Sequence, residues 1–257
     1  MTLGISGLTL FFLLTAGLYA SVGFGGGSTY IALLALADLD YRLIPIVALL
    51  CNIIVVTGGT YRFHIRGLIE WRRIWPILVL SLPAAWLGGM VQINRELFLL
   101  LLGLSLVVAA GLILVEPMLR KVNFDQSAER EQNRWFIPVT GAGIGFLSGM
   151  VGIGGGIFLA PILLLSNWMD SRRVAATASL FILVNSLSGL AGQLSKSGWD
   201  QGSEAIISYW PLFVAVLIGG QMGSFLASKT LPEIWIKRLT ALLILYVALR
   251  ILVQQLT

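Results

Sequence analysis

The sequence predicts an all-α polytopic membrane protein built from two inverted repeats, each a glycine-broken helical hairpin followed by three transmembrane helices. Three observations carry that prediction. Only 11% of the 257 residues are charged and 57% are hydrophobic, against about 25% charged in a soluble domain; mean hydropathy is +0.90. The run Gly23-Phe24-Gly25-Gly26-Gly27-Ser28 returns as Gly152-Ile153-Gly154-Gly155-Gly156-Ile157, each time after a valine and inside apolar sequence. Basic residues then collect in loops whose positions place the two halves in opposite senses across a bilayer.

In the first half, a segment from about Leu3 to Val22 breaks at the glycines and resumes as a short helix from Ser28 to Ala37. Three consecutive glycines leave bare, entropically expensive backbone that interrupts a helix. The stretch Asp38–Arg42 is a polar loop, and Leu43–Tyr61 is the next span. Arg62 to Arg73 forms a basic loop with an aromatic belt of Tyr61, Phe63, Trp71 and Trp75, as expected at headgroup level. Ile74–Ile93 spans, with Pro76 and Pro83 absorbed by neighbouring helices. Asn94-Arg95-Glu96 turns the chain and Leu97–Val115 spans again. Each full span approaches the roughly 20 apolar residues that a bilayer requires. Met1–Leu14 lacks a basic leader and a small-residue cleavage site, so it reads as a retained membrane segment.

Residues 116–134 mix Glu116, Asp125, Glu129 and Glu131 with Arg120, Lys121, Arg130 and Arg134, the pattern of a solvated linker. This divides the chain into a first repeat, 1–115, a cytoplasmic linker, 116–134, and a second repeat, 135–257. In the second repeat Trp135–Gly149 leads into the second glycine run, and Ile157–Ser166 is the short helix after it. The Asn167–Arg173 loop, the Val174–Leu194 span, a polar loop Ser195–Glu204, the Ala205–Ala227 span, a Lys229–Arg238 turn and a last span, Leu239–Val253, complete it. Pro211 and Gly223 are spaced as Pro76 and Gly88 are.

Arg62, Arg66, Arg72 and Arg73 put their loop in the cytoplasm, and Arg172-Arg173 with Lys229, Lys237 and Arg238 do the same for theirs. The Asn94 turn and the loop of Lys196, Asp200 and Glu204 then fall outside. Equivalent loops lie on opposite sides only if each glycine-broken segment enters and leaves by one face. Both termini are then expected outside.

A helix that begins inside the membrane presents unpaired N–H groups and a partial positive charge of roughly +0.5, an anion site without a cationic side chain. Irregular backbone at that depth survives only where protein or a water-filled cavity satisfies it, and paired breaks in matching halves point to a binding site. The expected substrate contacts are Gly25, Gly26, Gly27, Ser28, Gly154, Gly155 and Gly156, with Ser28 as cap and hydroxyl donor. Ile157 replaces that serine in the second copy, so the two sites are not equivalent. Asn52 and Asn185, each near the middle of the span after its hairpin, join the set as ligands, or else serve as interhelical glue. Thr57, Thr177, Ser179 and Ser188 are weaker candidates. The competing explanation for the glycines is close helix packing.

Much is excluded. Neither glycine run carries the Lys of a P-loop, and neither has the third glycine of a dinucleotide fingerprint. One Cys (Cys51) and one His (His64) leave no intrachain disulfide, no thiolate cluster for a metal and no catalytic constellation. No cofactor is expected. The net charge of +5 reflects topology and lipid headgroups, not nucleic-acid binding. No Asp, Glu, Lys or His occupies the middle of an expected span, so any coupling runs through hairpin polar groups or through loop carboxylates such as Asp38 or Asp170.

The duplicated Gly-Phe-Gly-Gly-Gly-Ser and Gly-Ile-Gly-Gly-Gly-Ile motifs, each opening one half of a small repeated membrane protein, resemble the TauE/SafE family of sulfite exporter-like permeases. The resemblance covers both halves, the charged linker and the hairpins, and reaches Gly23, Gly25, Gly26, Gly27, Gly152, Gly154, Gly155 and Gly156 residue by residue. It implies multi-pass insertion in the bacterial cytoplasmic (inner) membrane and transport of sulfur-containing anions such as sulfite, sulfoacetate or other organosulfonates. It fixes neither substrate, direction, coupling ion nor oligomeric state. A cation or other small-solute transporter using carbonyl oxygens of the same hairpins is the alternative. A membrane enzyme would need a nucleophile or metal cluster that one His and one Cys do not supply, and a non-transporting scaffold subunit would have no use for paired breaks.

Overall fold

The computed structural model describes residues 4–22, 25–119, 136–166, 169–226, 242, 244–249 and 251–253. Among them every regular element is helical: α1 (Ile5–Val22), α2 (Gly27–Leu36), α3 (Leu43–Ile65), α4 (Trp71–Met90), α5 (Arg95–Leu119), α6 (Phe136–Val151), α7 (Gly156–Leu165) and α8 (Ser171–Leu226), with further helical turns at 244–249 and 251–253. Four of these helices are long and apolar enough to cross a membrane. Gly23, Phe24, the linker from 120 to 134, Asn167, the Lys229–Arg238 turn and Arg250 lie outside the described residues.

The helix ends follow from local chemistry. Helix α2 stops in a Schellman motif: Asp38, at φ 55°, donates its N–H to Ala35 O, and Leu39 donates to Leu34 O. An Asp tolerates the left-handed position that glycine usually fills. The same motif ends α3, with Gly67 at φ 65°, its N–H on His64 O and that of Leu68 on Phe63 O. Asn94 caps α5, its Oδ1 accepting the Leu97 N–H at 2.9 Å. Asp170 caps α8, accepting the N–H groups of Arg172 and Arg173 at 3.0 Å each.

Three sequence boundaries are corrected. Helix α3 runs on through Arg62 and His64 to Ile65, because basic side chains in a last turn complement the helix dipole. Helix α5 runs to Leu119, so the first residues assigned to the linker are helical. The polar loop expected over Ser195–Glu204 is helical apart from Gly198, at φ 79° and ψ 168°. Gly198 redirects α8 here, and a second departure from helical geometry follows at Tyr209 (φ −117°, ψ 17°). The serines around Gly198 hydrogen-bond back into the helix: Ser195 to Ala191 O, Ser197 to Gln193 O and Ser203 to Asp200 O.

Packing is arranged by glycine seams. Helix α1 lies against α8, and α4 against α6. A Cβ on Gly223 would stand 1.9 Å from Gly17 O, and one on Gly88 would stand 2.0 Å from Phe146 O. Such contact distances admit only a bare backbone, as at membrane helix interfaces. Gly17 and Phe146 each precede their glycine run by six residues. The α1–α8 and α4–α6 seams are therefore reciprocal. Between them sits the core of Phe12, Tyr30, Ile31, Leu34, Ile44, Leu49, Ile77 and Phe181, with the Phe12 and Tyr30 rings stacked at 4.8 Å. Large apolar side chains such as Leu10, Leu14, Val79, Leu104, Val108, Val214 and Leu217 face outward, which in so apolar a chain means lipid.

Contacts sort the loops into two ends. At one end Glu70 pairs with Arg173 and with Arg73, and Arg62 donates to Ser224. At the other, Tyr41 packs on Phe98 at 5.9 Å, and the Lys196 ammonium donates to Val91 O at 3.4 Å. The loop after α2 thus lies at the Tyr41–Phe98 end, and the loop after α7 lies at the Glu70–Arg173 end.

Candidate functional site

The two glycine breaks meet. Helix α2 begins at Gly27 after an N-cap Gly26, and α7 begins at Gly156 after an N-cap Gly155. A Cβ on Gly27 would stand 2.1 Å from Ile153 O, so the first turn of α2 touches the backbone of the second break. The breaks are built differently. Gly152, Gly154 and Gly155 hold φ of 94°, 86° and 77°, a region that excludes β-branched side chains, whereas Gly26 sits at φ −94°. In the first break the requirement for glycine is steric.

Asn52 lies where the breaks join. Its amide nitrogen donates to Ile153 O at 3.2 Å, a Cβ on Gly154 would meet that nitrogen at 2.7 Å, and one on Gly25 would meet its Oδ1 at 2.7 Å. The side chain is fully buried, and Oδ1 has no partner. An unmatched buried acceptor costs about 1–3 kcal/mol, and such a group calls for an explanation.

Other orphaned polar atoms lie along the two breaks and the adjoining α4–α6 seam, with Ser186 Oγ sharing the neighbourhood of Gly154 with Asn52. The buried Tyr30 hydroxyl and the Ser186, Ser148 and Ser81 hydroxyls have no partner. Tyr30 OH would lie 2.9 Å from a Cβ on Gly26, Ser186 Oγ 3.3 Å from one on Gly154, and Ser148 Cβ 3.4 Å from one on Gly155. These four hydroxyls were not among the residues expected from sequence. The available signals were Ser148, one helical turn before Gly152, and Ser186, directly after Asn185.

Of the expected residues, Gly25, Gly27, Asn52 and Gly154 form one cluster. Gly26 faces Tyr30 and Thr15, Gly155 faces Ile144 and Phe181, and Gly156 faces Ile182 and the Ala178 carbonyl. Ser28 is buried, but the capping role expected of it is not realised: the N-cap of α2 is Gly26, with no side-chain cap. Ser28 lies one residue inside the helix, beyond the capping position. Asn185 takes a different place from Asn52. Its nitrogen donates to Phe181 O one turn back at 2.9 Å, and its unpartnered Oδ1 faces the α4–α6 seam, 3.0 Å from a Cβ on Gly145 beside Ser81.

The weaker candidates are already engaged. Thr57 bonds back to Ile53 O, Thr177 to Met169 Sδ, Ser179 pairs with Thr60, and Ser188 donates to Leu82 O. Of the two loop carboxylates, that of Asp170 is engaged, capping α8 and pairing with Arg173 at 3.2 Å; Asp38 contributes its backbone N–H to the end of α2. His64 packs edge-on against Trp71 at 5.8 Å. Among the described residues no group of His, Cys, Asp and Glu could hold a metal.

Comparison with known proteins gives this arrangement its context. The family model "Sulfite exporter TauE/SafE" matches residues 8–251. A probable membrane transporter protein of Sinorhizobium fredii is 34% identical over 247 residues, 96% of this chain and 97% of the relative. A probable membrane transporter protein of Haemophilus influenzae is 26% identical over 260 residues, 93% of each chain. The Arabidopsis thaliana sulfite exporter TauE/SafE family protein 1 is 36% identical over 101 residues, 37% of this chain and 22% of that protein. No solved structure matches. The family match spans both glycine breaks and every helix that packs around Asn52, so the chain belongs to the TauE/SafE family of membrane transporters.

Proposed function

We propose that this transporter carries a small sulfur-containing anion, sulfite, sulfoacetate or another organosulfonate, across the bacterial cytoplasmic membrane, held where the two glycine breaks meet. The observation that carries the reading is Asn52, buried between both breaks with an unpartnered amide oxygen and, beside Gly154, the orphaned Ser186 hydroxyl. The first turns of α2 and α7 add unpaired N–H groups and the positive ends of two helix dipoles. No Lys, Arg or His is buried among the described residues, so binding rests on backbone and neutral donors. The sulfite exporter name of the family supports sulfur chemistry. With no nucleophile–base pair among the candidate residues, the chain is read as a transporter without catalytic activity.

The architecture proposed is the inverted repeat, with 1–115 and 135–257 as units and 116–134 as a cytoplasmic linker. The reciprocal Gly17–Gly223 and Phe146–Gly88 contacts support it. So do the opposite ends reached by the loops after α2 and α7. Paired broken helices in such repeats form the substrate sites of other transporter folds.

One observation favours cations as the alternative: Asn52 and Asn185 present acceptor oxygens, not donors, to their surroundings. The test is binding to the purified full-length chain of sulfite, thiosulfate, sulfoacetate and inorganic cations. Saturable binding of a sulfur anion is expected. Binding of cations alone would overturn the anion reading.

A further inference from the structure

We infer that the species held between the glycine breaks is the hydrogen-bearing monoanion of an oxyacid, which crosses the membrane carrying its own proton. The inference rests on the anion reading above and concerns which protonation state the site selects.

The orientation of the Asn52 amide is settled by its partner. The Ile153 carbonyl only accepts hydrogen bonds, so the amide nitrogen faces it at 3.2 Å and Oδ1 must point the other way. Oδ1 is directed at the first break, within 2.7 Å of a Cβ on Gly25, in a fully buried side chain without a partner. It requires a donor. Ser186 Oγ and Tyr30 OH, equally buried and unpartnered, can donate or accept. The N–H groups opening α2 and α7 only donate.

A fully deprotonated oxyanion offers acceptors alone and would set an anionic oxygen against Asn52 Oδ1. An oxyanion with one remaining O–H matches the set: its hydrogen meets Oδ1, and its charged oxygens take the hydroxyls and helix N–H groups. Charge points the same way. Desolvation cost grows with the square of the charge, so a dianion costs about four times what a monoanion does in the same cavity. Among the described residues no cationic side chain is buried to offset it. An inorganic cation would find Oδ1 but would face two helix N-termini of the wrong sign. A proton bound to the substrate also accounts for spans that lack an intramembrane carboxylate or histidine.

The experiment compares sulfite with methanesulfonate, a monoanion without an acidic hydrogen, binding to the purified full-length protein across the pH range where hydrogensulfite loses its proton. Sulfite affinity should fall about tenfold per pH unit above that ionisation, while methanesulfonate binds more weakly and with a flat profile. Asn52→Leu should remove the preference for sulfite over methanesulfonate, and Ser186→Ala should weaken both alike. Sulfite affinity that is flat or rises with pH overturns the inference and leaves the anion reading standing. So does a methanesulfonate profile that follows the same curve, since a group on the protein would then be titrating. Absence of binding by either anion at every pH overturns the anion reading itself. The wild-type pair of curves decides the matter even if Asn52→Leu does not fold.

Discussion

The Asn52 side-chain amide donates to the main-chain carbonyl of Ile153, 101 residues further along the chain. One neutral side chain from the first half thereby ties together the two glycine runs.

Asn52→Leu removes the donor and leaves Ile153 O buried without a partner. It also removes Oδ1, the acceptor for the substrate's hydrogen; a buried polar group left unmatched costs about 1–3 kcal/mol, so sulfite binding should weaken roughly ten- to hundredfold in a titration of purified protein. Asn185→Leu should have the smaller effect, because Asn185 bonds within its own helix and faces the α4–α6 seam. Equal losses from the two variants would count against the site drawn here.

Gly27→Ala should abolish transport, because its Cβ would enter the Ile153 carbonyl at 2.1 Å. Backbone cannot swing aside as a side-chain tip can, and overpacking of this kind costs about 1–3 kcal/mol. Gly143→Ala, where nothing lies within 4 Å of the added carbon, is the control and should transport as wild type. Uptake assays on membranes with matched expression distinguish them.

Gly155→Val is expected to fail for a conformational reason. A β-branched residue at φ 77° is strained by about 1–3 kcal/mol, besides meeting Ile144 and Phe181 at 2.9 Å. Gly26→Val fails by contact with Tyr30 and Thr15 instead. Both variants should insert in the membrane, which fractionation checks, and neither should move substrate.

Single cysteines introduced in a Cys51→Ser background should sort by face. Positions 66 and 237 should label from the cytoplasm, and 94 and 197 from outside. The Glu70–Arg173 and Lys196–Val91 contacts already hold the corresponding loops at separate ends. Labelling of 66 and 197 from the same side would refute the inverted arrangement.

Glu70→Gln should leave transport nearly unchanged. The pairs to Arg73 and Arg173 join side chains that keep 21–47% of their surface in solvent, where ion pairs contribute about 0–1 kcal/mol. A thermal midpoint lowered by no more than a few degrees, measured on purified protein, is the expected result.

Most of the helices were legible because their signals are local. Apolar runs bounded by Asp38–Arg42 or Asn94 place spans without reference to any distant residue. The region around Gly198 was misread for the same reason. Lys196, Asp200 and Glu204 look like a loop in sequence, yet local helix bonds persist on both sides of a single redirecting glycine. Ser28 looked like a cap because it follows the glycines, but the helix starts one residue before it.

The hydroxyls could not be ranked from sequence. A serine in an apolar span reads alike whether it bonds back to its own helix, as Ser195 does, or stands unpartnered, as Ser186 does. The difference lies in which chain packs beside it.

The sequence by itself determined the membrane class, the two glycine breaks, most spans and the residue types available for binding, because composition and short-range periodicity set them. Only the tertiary structure decided that the breaks touch and that Asn52 joins them while Asn185 lies at another seam. It also decided that Tyr30, Ser81, Ser148 and Ser186 are left without partners. Those outcomes depend on close approach between backbones distant in the chain, Gly27 against Ile153 and Gly88 against Phe146, at distances only glycine permits, and no local pattern encodes such a distance.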